Sequence, residues 1–413
     1  MTVRRATARW AALGAAAVLA AGTLQAPAAA ETGIDRDGLD AALGGVHEAG
    51  MYGVFSQVRD GREVWRGAAG DADVRTGRPV RPHMRHRVGS ITKTFVATAV
   101  LQQVEAGRVE LDAPVGRYLP ELVPGERGER VTVRMLLNHT SGIGDYLPAA
   151  FPSLLEPSGK SLDEHRFREL PPERLVEWGL AAPATNEPGE RVSYSNTNYI
   201  LAGLLLERVT GDDAARYVER HVVRKAGLRH TYFPERPRIR GPHPKMYASM
   251  FGYIDPPRDY SVYDPSWVWT AGALVSTMDD LNSFYRKLLG GELIGEKALA
   301  EMKRTRPWTD ANGNLIANYG LGLYSMDLPC GTFWGHDGLV WGAGTQSLST
   351  ADGTRQVSYA MNLTKYQRIE NGAVVPHPID YALSRFLVGA ACGDAPMAKS
   401  SGVRPMPLQS VAP

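Results

Sequence analysis

Arg87-Val88-Gly89-Ser90-Ile91-Thr92-Lys93-Thr94-Phe95-Val96-Ala97-Thr98-Ala99-Val100 is the stretch around which the rest of the chain is read. Ile91, Phe95 and Ala99 recur every fourth residue and neither Pro nor Gly interrupts residues 90–106, so the spacing predicts an amphipathic helix from Ser90 to a C-cap at Gly107. A serine at a helix start commonly does no more than cap an orphan backbone N–H. Lys93 gives Ser90 a second use, because three residues on it lies one turn up the same face. A desolvated lysine of lowered pKa can activate a serine hydroxyl that is otherwise a poor nucleophile. Arginine could not, since it stays protonated in proteins, and lysine is the rarer cation here, 9 among 46 Lys+Arg. With 21 Ser and 9 Lys in 413 residues, chance supplies about half of one Ser-x-x-Lys match, so the pair needs partners.

A chain of this length with 43% hydrophobic residues can bury a large core. Its net charge of +2 and lack of a Lys/Arg block argue against a nucleic-acid partner. Arg4, Arg5 and Arg9 precede an apolar run over residues 10–21, followed by Pro27-Ala28-Ala29-Ala30. That is the pattern of a secretory signal peptide over residues 1–30, with cleavage near Ala30. The run is shorter than the roughly 20 residues of a spanning helix, so a secreted protein without a stable membrane anchor is expected. Cys330 and Cys392 are the only cysteines, and an exported pair usually oxidises to a disulfide. Residues 394–413, rich in Pro, Ser, Gly and Ala without periodicity, read as a disordered tail. The expected protein is a monomer.

Residues 34–49 read as a short helix interrupted by Gly44-Gly45, and Asp60-Gly61 between two alternating runs marks a hairpin. Helical patterns then occupy residues 133–137, 172–180, 198–210, 212–225 and 278–289, with an irregular loop over residues 241–265. Strand patterns return from Tyr319, with a second hairpin turn at Asp352-Gly353 and a last helix over residues 379–388. The expected fold is α/β (α+β): an antiparallel sheet formed from both chain ends and flanked by helices. Residues 31–88 and 310–393 would form the sheet domain, and residues 89–309 a mostly helical inserted domain. The disulfide would then staple the last helix to the sheet.

Two further clusters carry side chains suited to chemistry. In Tyr194-Ser195-Asn196 the first and third residues point the same way if the loop is extended; a phenol can move a proton and an amide can hold a carbonyl, although Asn196 also suits a helix cap. Gly335-His336-Asp337-Gly338 follows an apolar strand, and its glycines suggest close approach of a backbone or ligand; a structural histidine and a plain turn explain it as well. The ten histidines show no His-x-x-x-His pair, so no metal is expected, and no phosphate-binding loop or other cofactor motif is present. No Gly-x-Ser-x-Gly elbow surrounds a serine, against an α/β-hydrolase.

In order, Ser90-x-x-Lys93, Tyr194-x-Asn196 and His336-x-Gly338 resemble the three-box signature of the penicillin-recognising serine enzymes, most closely the class C β-lactamase and soluble DD-carboxypeptidase branch. Leu137-Asn138-His139-Thr140-Ser141-Gly142, Tyr319-Gly320-Leu321-Gly322-Leu323 and the placement of Cys330 and Cys392 are similar too. The resemblance implies that Ser90 is the acylated nucleophile, that Lys93 or Tyr194 is the base, and that Asn196 binds the acyl-side amide. His336 would hold the local electrostatics, and the backbone N–H groups of Ser90 and Leu339 would form the oxyanion hole. Phe151 and Trp267 fall where the family lines its cleft. Asp337, Leu339 and Tyr324 occupy the positions with which carboxypeptidases clamp a free substrate carboxylate, so Asp337 is expected to repel one, with Gly338 beside it at the substrate. The implied activity is acyl-serine hydrolysis or transacylation of a small-molecule or peptide donor, D-alanyl-D-alanine carboxypeptidase-like but with a neutral leaving group. An esterase or β-lactamase is the alternative of the same fold, and a non-catalytic cell-wall peptide binder the alternative of another class.

Overall fold

Gly61, at φ +54°, lets the chain reverse between Asp60 and Glu63. In the computed structural model this turn opens the sheet. The structure describes residue 2 and residues 33–156, 158–310 and 312–393; apart from residue 2, the stretch over residues 1–30 that reads as a signal peptide lies outside the described residues, as does the tail over residues 394–413. Strands β1 (Gly53–Asp60), β2 (Glu63–Asp73) and β3 (Arg78–Pro79) come from the start of the chain. The other six are β4 (Arg306–Thr309), β5 (Leu315–Tyr319), β6 (Tyr324–Leu328), β7 (Gly331–Val340), β8 (Ala343–Thr350) and β9 (Arg355–Met361). Their spatial order is β3-β2-β1-β9-β8-β7-β6-β5-β4. The two chain ends meet in one antiparallel register, from Val54 opposite Met361 to Asp60 opposite Arg355, as the alternating patterns imply. Strands β4 and β5 escape a sequence reading because they form an exposed edge with little apolar alternation and carry Pro307, a residue tolerated at a sheet edge.

Helices α1 (Arg36–Glu48) and α5 (Pro378–Cys392) cover one face, where Phe386 packs against Trp65 and Tyr359. Helix α1 runs unbroken through Gly44-Gly45, contrary to expectation. Asp35 caps it by accepting from the Gly38 N–H, and burial of Leu39, Leu43 and Val46 outweighs a glycine cost of about 1 kcal/mol each. The other face holds the larger core with α2 (Thr92–Glu105), α3 (Thr197–Thr210) and α4 (Met278–Leu289). The helical pattern at residues 212–225 is realised as a short α-helix, Ala214–Val218, continued by a π-turn, Glu219–Val223. Cys330 and Cys392 form a disulfide that ties the turn before β7 to the end of α5. No helix among the described residues is long and apolar enough to cross a membrane.

Helix α2 departs from its expected amphipathic form. Residues Thr92 to Leu101 are all buried, the mark of a helix surrounded by protein. Phe95 stacks on Phe284, and the polar side chains on its remaining sides find backbone acceptors: Thr94 Oγ1 donates to Gly322 O at 2.6 Å and Thr98 Oγ1 to Thr94 O at 2.7 Å. The first turn is a 3₁₀ turn, Gly89–Ile91, and Ser90 caps nothing. Thr92 Oγ1 donates to Gly89 O at 2.7 Å instead, which leaves the Ser90 hydroxyl to other partners.

Candidate active site

Strand β6 pairs with β7 only over Gly331 to Gly335, so beyond Gly335 another segment can pack along β7, and the Gly89–Ile91 turn does. The approach is backbone on backbone. A Cβ at Gly338 would lie 1.9 Å from Val88 O and 2.9 Å from Ser90 N, and one at Gly89 would lie 2.7 Å from Leu339 N. Only glycine fits at either position, and Gly89 also adopts φ +53°. This contact brings Ser90 and Leu339 together on the lining of one cavity. Gly338 therefore acts by close packing rather than by touching a ligand.

Lys93 is completely buried. Its Nζ lies 3.0 Å from Ser90 Oγ, 2.8 Å from Asn196 Oδ1 and 2.7 Å from Ala271 O. Burial lowers its pKa to about 7, against an opposing pull from Asp145 and Asp337. Two of its three partners can only accept, so in the free-amine form the two N–H bonds go to Asn196 and Ala271. The lone pair then faces the Ser90 hydroxyl.

Asn196 can present its oxygen to Lys93 because Asp145 fixes its other end. Asp145 Oδ2 accepts from Asn196 N and Nδ2, both at 2.8 Å, and Oδ1 accepts from Leu147 N at 2.9 Å. Burial pushes the Asp145 carboxyl up, and its hydrogen bonds pull it back. No local pattern marks Asp145; its role arises where the Gly142 to Leu147 loop meets the start of α3. Asp145→Asn is expected to cut kcat about 10- to 100-fold, the range for a lost orienting partner. Because the Asp145 charge raises the Lys93 pKa, the rate–pH limb set by Lys93 should also move to lower pH. A rate–pH profile checks both, and an unmoved limb would count against the contact.

The Tyr194 ring lies 4.8 Å from Lys93 Nζ, centroid to atom. It stacks on Trp308 at 5.6 Å and lies against His139 at 4.1 Å between ring centroids. His139 holds this loop from both sides, accepting at Nδ1 from Ser195 N and Asn198 Nδ2 while its carbonyl accepts from Ser193 N. Burial keeps it neutral, its pKa well below the ordinary value. His336 is buried as well, and its pKa is lowered to about 3, chiefly by burial. Its Nδ1–H donates to Asp337 O at 2.5 Å, so Nε2 accepts from Tyr319 Oη at 2.8 Å. The 3.5 Å approach of Nδ1 to Asp337 Oδ1 would be an ion pair only for an imidazolium; burial makes it a neutral contact. His336 therefore shapes this wall as a neutral hydrogen-bonded imidazole, its ring 6.4 Å from that of Tyr194.

Ser90 and Asn196 open onto a cavity with about 550 Å³ between its walls, the open mouth included. Trp267 and Leu339 line it, together with Trp341, which stacks on Trp267 at 4.7 Å. Phe151 is not a lining residue: it packs edge-on behind Trp267 and Trp341 and is 1% exposed. Asp337 does not line the cavity either. It lies between His336 and Gly338 on a strand, so its side chain points to the opposite face, with Gln346 across the register and Tyr324 and Tyr359 near enough for its charge to raise their pKa. Tyr324 is buried there too, hydrogen-bonded to Gln346. Asp337 thus makes no contact with the cavity, but its charge is felt at Lys93, so a repulsion of a substrate carboxylate would act from behind the wall and not by contact. Sequence reasoning also missed Trp341 and Lys365, both of which line the cavity. Among the described residues no group of His, Cys, Asp or Glu could hold a metal ion.

The profile of the family described as Beta-lactamase matches residues 39–382. The chain is 37% identical to esterase EstB of Burkholderia gladioli over 46% of its own length and 50% of that protein. It is 26% identical to a D-aminopeptidase of Brucella anthropi over 66% of its length and 52% of that protein; the chain thus spans about half the length of these curated relatives. A solved D-stereospecific amidohydrolase from Streptomyces superposes with a TM-score of 0.76 at 34% identity, over 87% of this chain and 99% of that one. The family match over most of the chain, together with this superposition, shows that this protein belongs to the beta-lactamase family of serine hydrolases.

Proposed function

We propose that the protein is an exported serine hydrolase or transacylase that carries the acyl group of a peptide, amide or ester on Ser90. The observation that carries this reading is the 3.0 Å contact between Ser90 Oγ and a fully buried amine. Ser90 Oγ attacks the donor carbonyl carbon, and its proton passes to the Lys93 lone pair. The oxyanion is held by the N–H groups of Ser90 and Leu339, each such donor contributing about 10²- to 10³-fold in rate. Tyr194, beside Lys93, relays that proton to the departing amine or alcohol as the carbonyl re-forms. Water or an acceptor amine then attacks the acyl-serine and restores Ser90.

The Streptomyces neighbour acts on D-configured amides by its name, and its coverage supports a D-configured acyl residue as donor here. The Asp337 charge, which acts on Lys93, favours a neutral leaving group over a free carboxylate. The Cys330–Cys392 disulfide suits an oxidising compartment, in keeping with export.

The test is a panel of D- and L-phenylalanine methyl esters, amides and free-carboxylate dipeptides, with intact-mass detection of the acyl-enzyme. Expected are an adduct on Ser90, a D over L preference above about tenfold, slower turnover of the free-carboxylate dipeptide, and a rise in rate as Lys93 deprotonates through about pH 7. Absence of any adduct with esters, amides and penicillins alike would favour the non-catalytic peptide binder.

A further inference from the structure

Lys365 is the one charged side chain among the residues that line the cavity around Ser90. Its neighbours on that wall are apolar or neutral, among them Met250, Trp267, Val340 and Trp341. The residue is held there by backbone that most sequences avoid. Residues 363 and 364 pair in parallel with Tyr247 and Ala248, and the Phe251 N–H donates to Lys365 O at 2.6 Å. Lys365, Met250 and Phe251 have φ of 51°, 50° and 62°. Three non-glycine residues in the left-handed region persist together only where the surroundings over-determine them, and such positions cluster at ligand sites.

The ammonium lies 5.1 Å from the centroid of the Phe251 ring, and no carboxylate of the described residues forms an ion pair with it. Burial lowers its pKa to about 8, so it remains mostly charged near neutrality. Lys365 is only partly exposed at the edge of this cavity, and a partly desolvated cation without a counter-ion gains from a ligand anion placed beside it. An enclosed apolar wall suits the part of the donor that stays on Ser90, because the leaving group must depart into water.

We propose that Lys365 sets the donor preference of this site by receiving a carboxylate carried on the acyl part of the substrate and disfavouring an acyl part that carries an ammonium. The proposal rests on the cavity being the donor site of the acyl-serine reaction. It makes Lys365 a specificity residue, apart from the bond-making groups.

The test compares N-succinyl-, N-acetyl- and free-amine D-phenylalanine methyl esters as donors at pH 6.5, read as ratios of kcat/KM. The natural protein is expected to prefer the succinyl over the free-amine donor by more than about tenfold. Lys365→Arg should keep the preference, Lys365→Gln should flatten it and Lys365→Glu should invert it. Equal ratios in the natural protein and Lys365→Glu would overturn the proposal. Because a Lys365 variant can fail to fold, the corresponding amides are also titrated calorimetrically into Ser90→Ala, where Lys365 is native and no turnover occurs. Tightest binding of the succinyl amide supports the proposal, and equal affinity for all three overturns it. If no ester is turned over but that binding order holds, the acyl-serine reading fails while the role of Lys365 stands.

Discussion

Ser90→Ala is expected to lower turnover of an activated ester by about 10⁴-fold or more and to abolish the covalent adduct, while the protein stays folded. The size of the loss follows from removing the only atom that makes the bond; oxyanion donors and binding sustain a residual rate over water of about 10³-fold in comparable serine enzymes. Retention of the fold follows from the contacts. Ser90 is 6% exposed, and its hydroxyl caps no helix end. Lys93 keeps its bonds to Asn196 and Ala271 when the hydroxyl is gone, so the stability cost is one buried hydrogen bond, about 1 kcal/mol. Steady-state kinetics, intact-mass spectrometry and a thermal melt measure the three quantities. More than about one hundredth of the natural rate remaining in this variant would place the nucleophile elsewhere.

Lys93→Met has the next largest expected effect, a loss of about 10²- to 10⁴-fold, the range in which general-base catalysis contributes. Methionine nearly matches the length of lysine and suits a site with no solvent access, but it cannot take the Ser90 proton. Asn196 Oδ1 and Ala271 O each lose a donor, at about 1–3 kcal/mol apiece. The variant is relieved, in exchange, of desolvating an amine, the effect that lowers the Lys93 pKa. A small shift in melting temperature should therefore accompany a large loss of rate. The rising limb near pH 7 should vanish with it, because neutral Lys93 is the reactive form and lies above that pKa. Activity within tenfold of the natural protein would show that Tyr194 alone serves as base.

Much of the fold is legible in the sequence where the signal is local. Asp60-Gly61 and Asp352-Gly353 mark hairpins through turn geometry alone, and both are present. The edge strands at residues 306–319 were hidden because an exposed edge needs no apolar alternation. The continuous α1 was hidden because its glycines are outweighed by packing that depends on distant partners. Helix α2 has its place in the chain but not its environment written in its residues: its spacing suits an amphipathic helix, yet protein surrounds it on nearly every side.

The site divides along the same line. Ser90 and Lys93 lie one turn apart, so helix geometry alone puts the hydroxyl within reach of the amine. The opposite orientation of Asp337 and His336 is equally local, a consequence of strand alternation, although only the register with β8 shows which side faces Ser90. Asp145, Trp341 and Lys365 carry no such local mark, because each acquires its role from a segment remote in sequence. By itself, then, the sequence determined the hairpins and the serine–lysine spacing, since each depends on a few neighbouring bonds, and the cysteine pair, since the chain has only two cysteines. The tertiary structure decided the charge states of Lys93 and His336 and the residues that wall the cavity, because desolvation and contact depend on what the rest of the chain brings near.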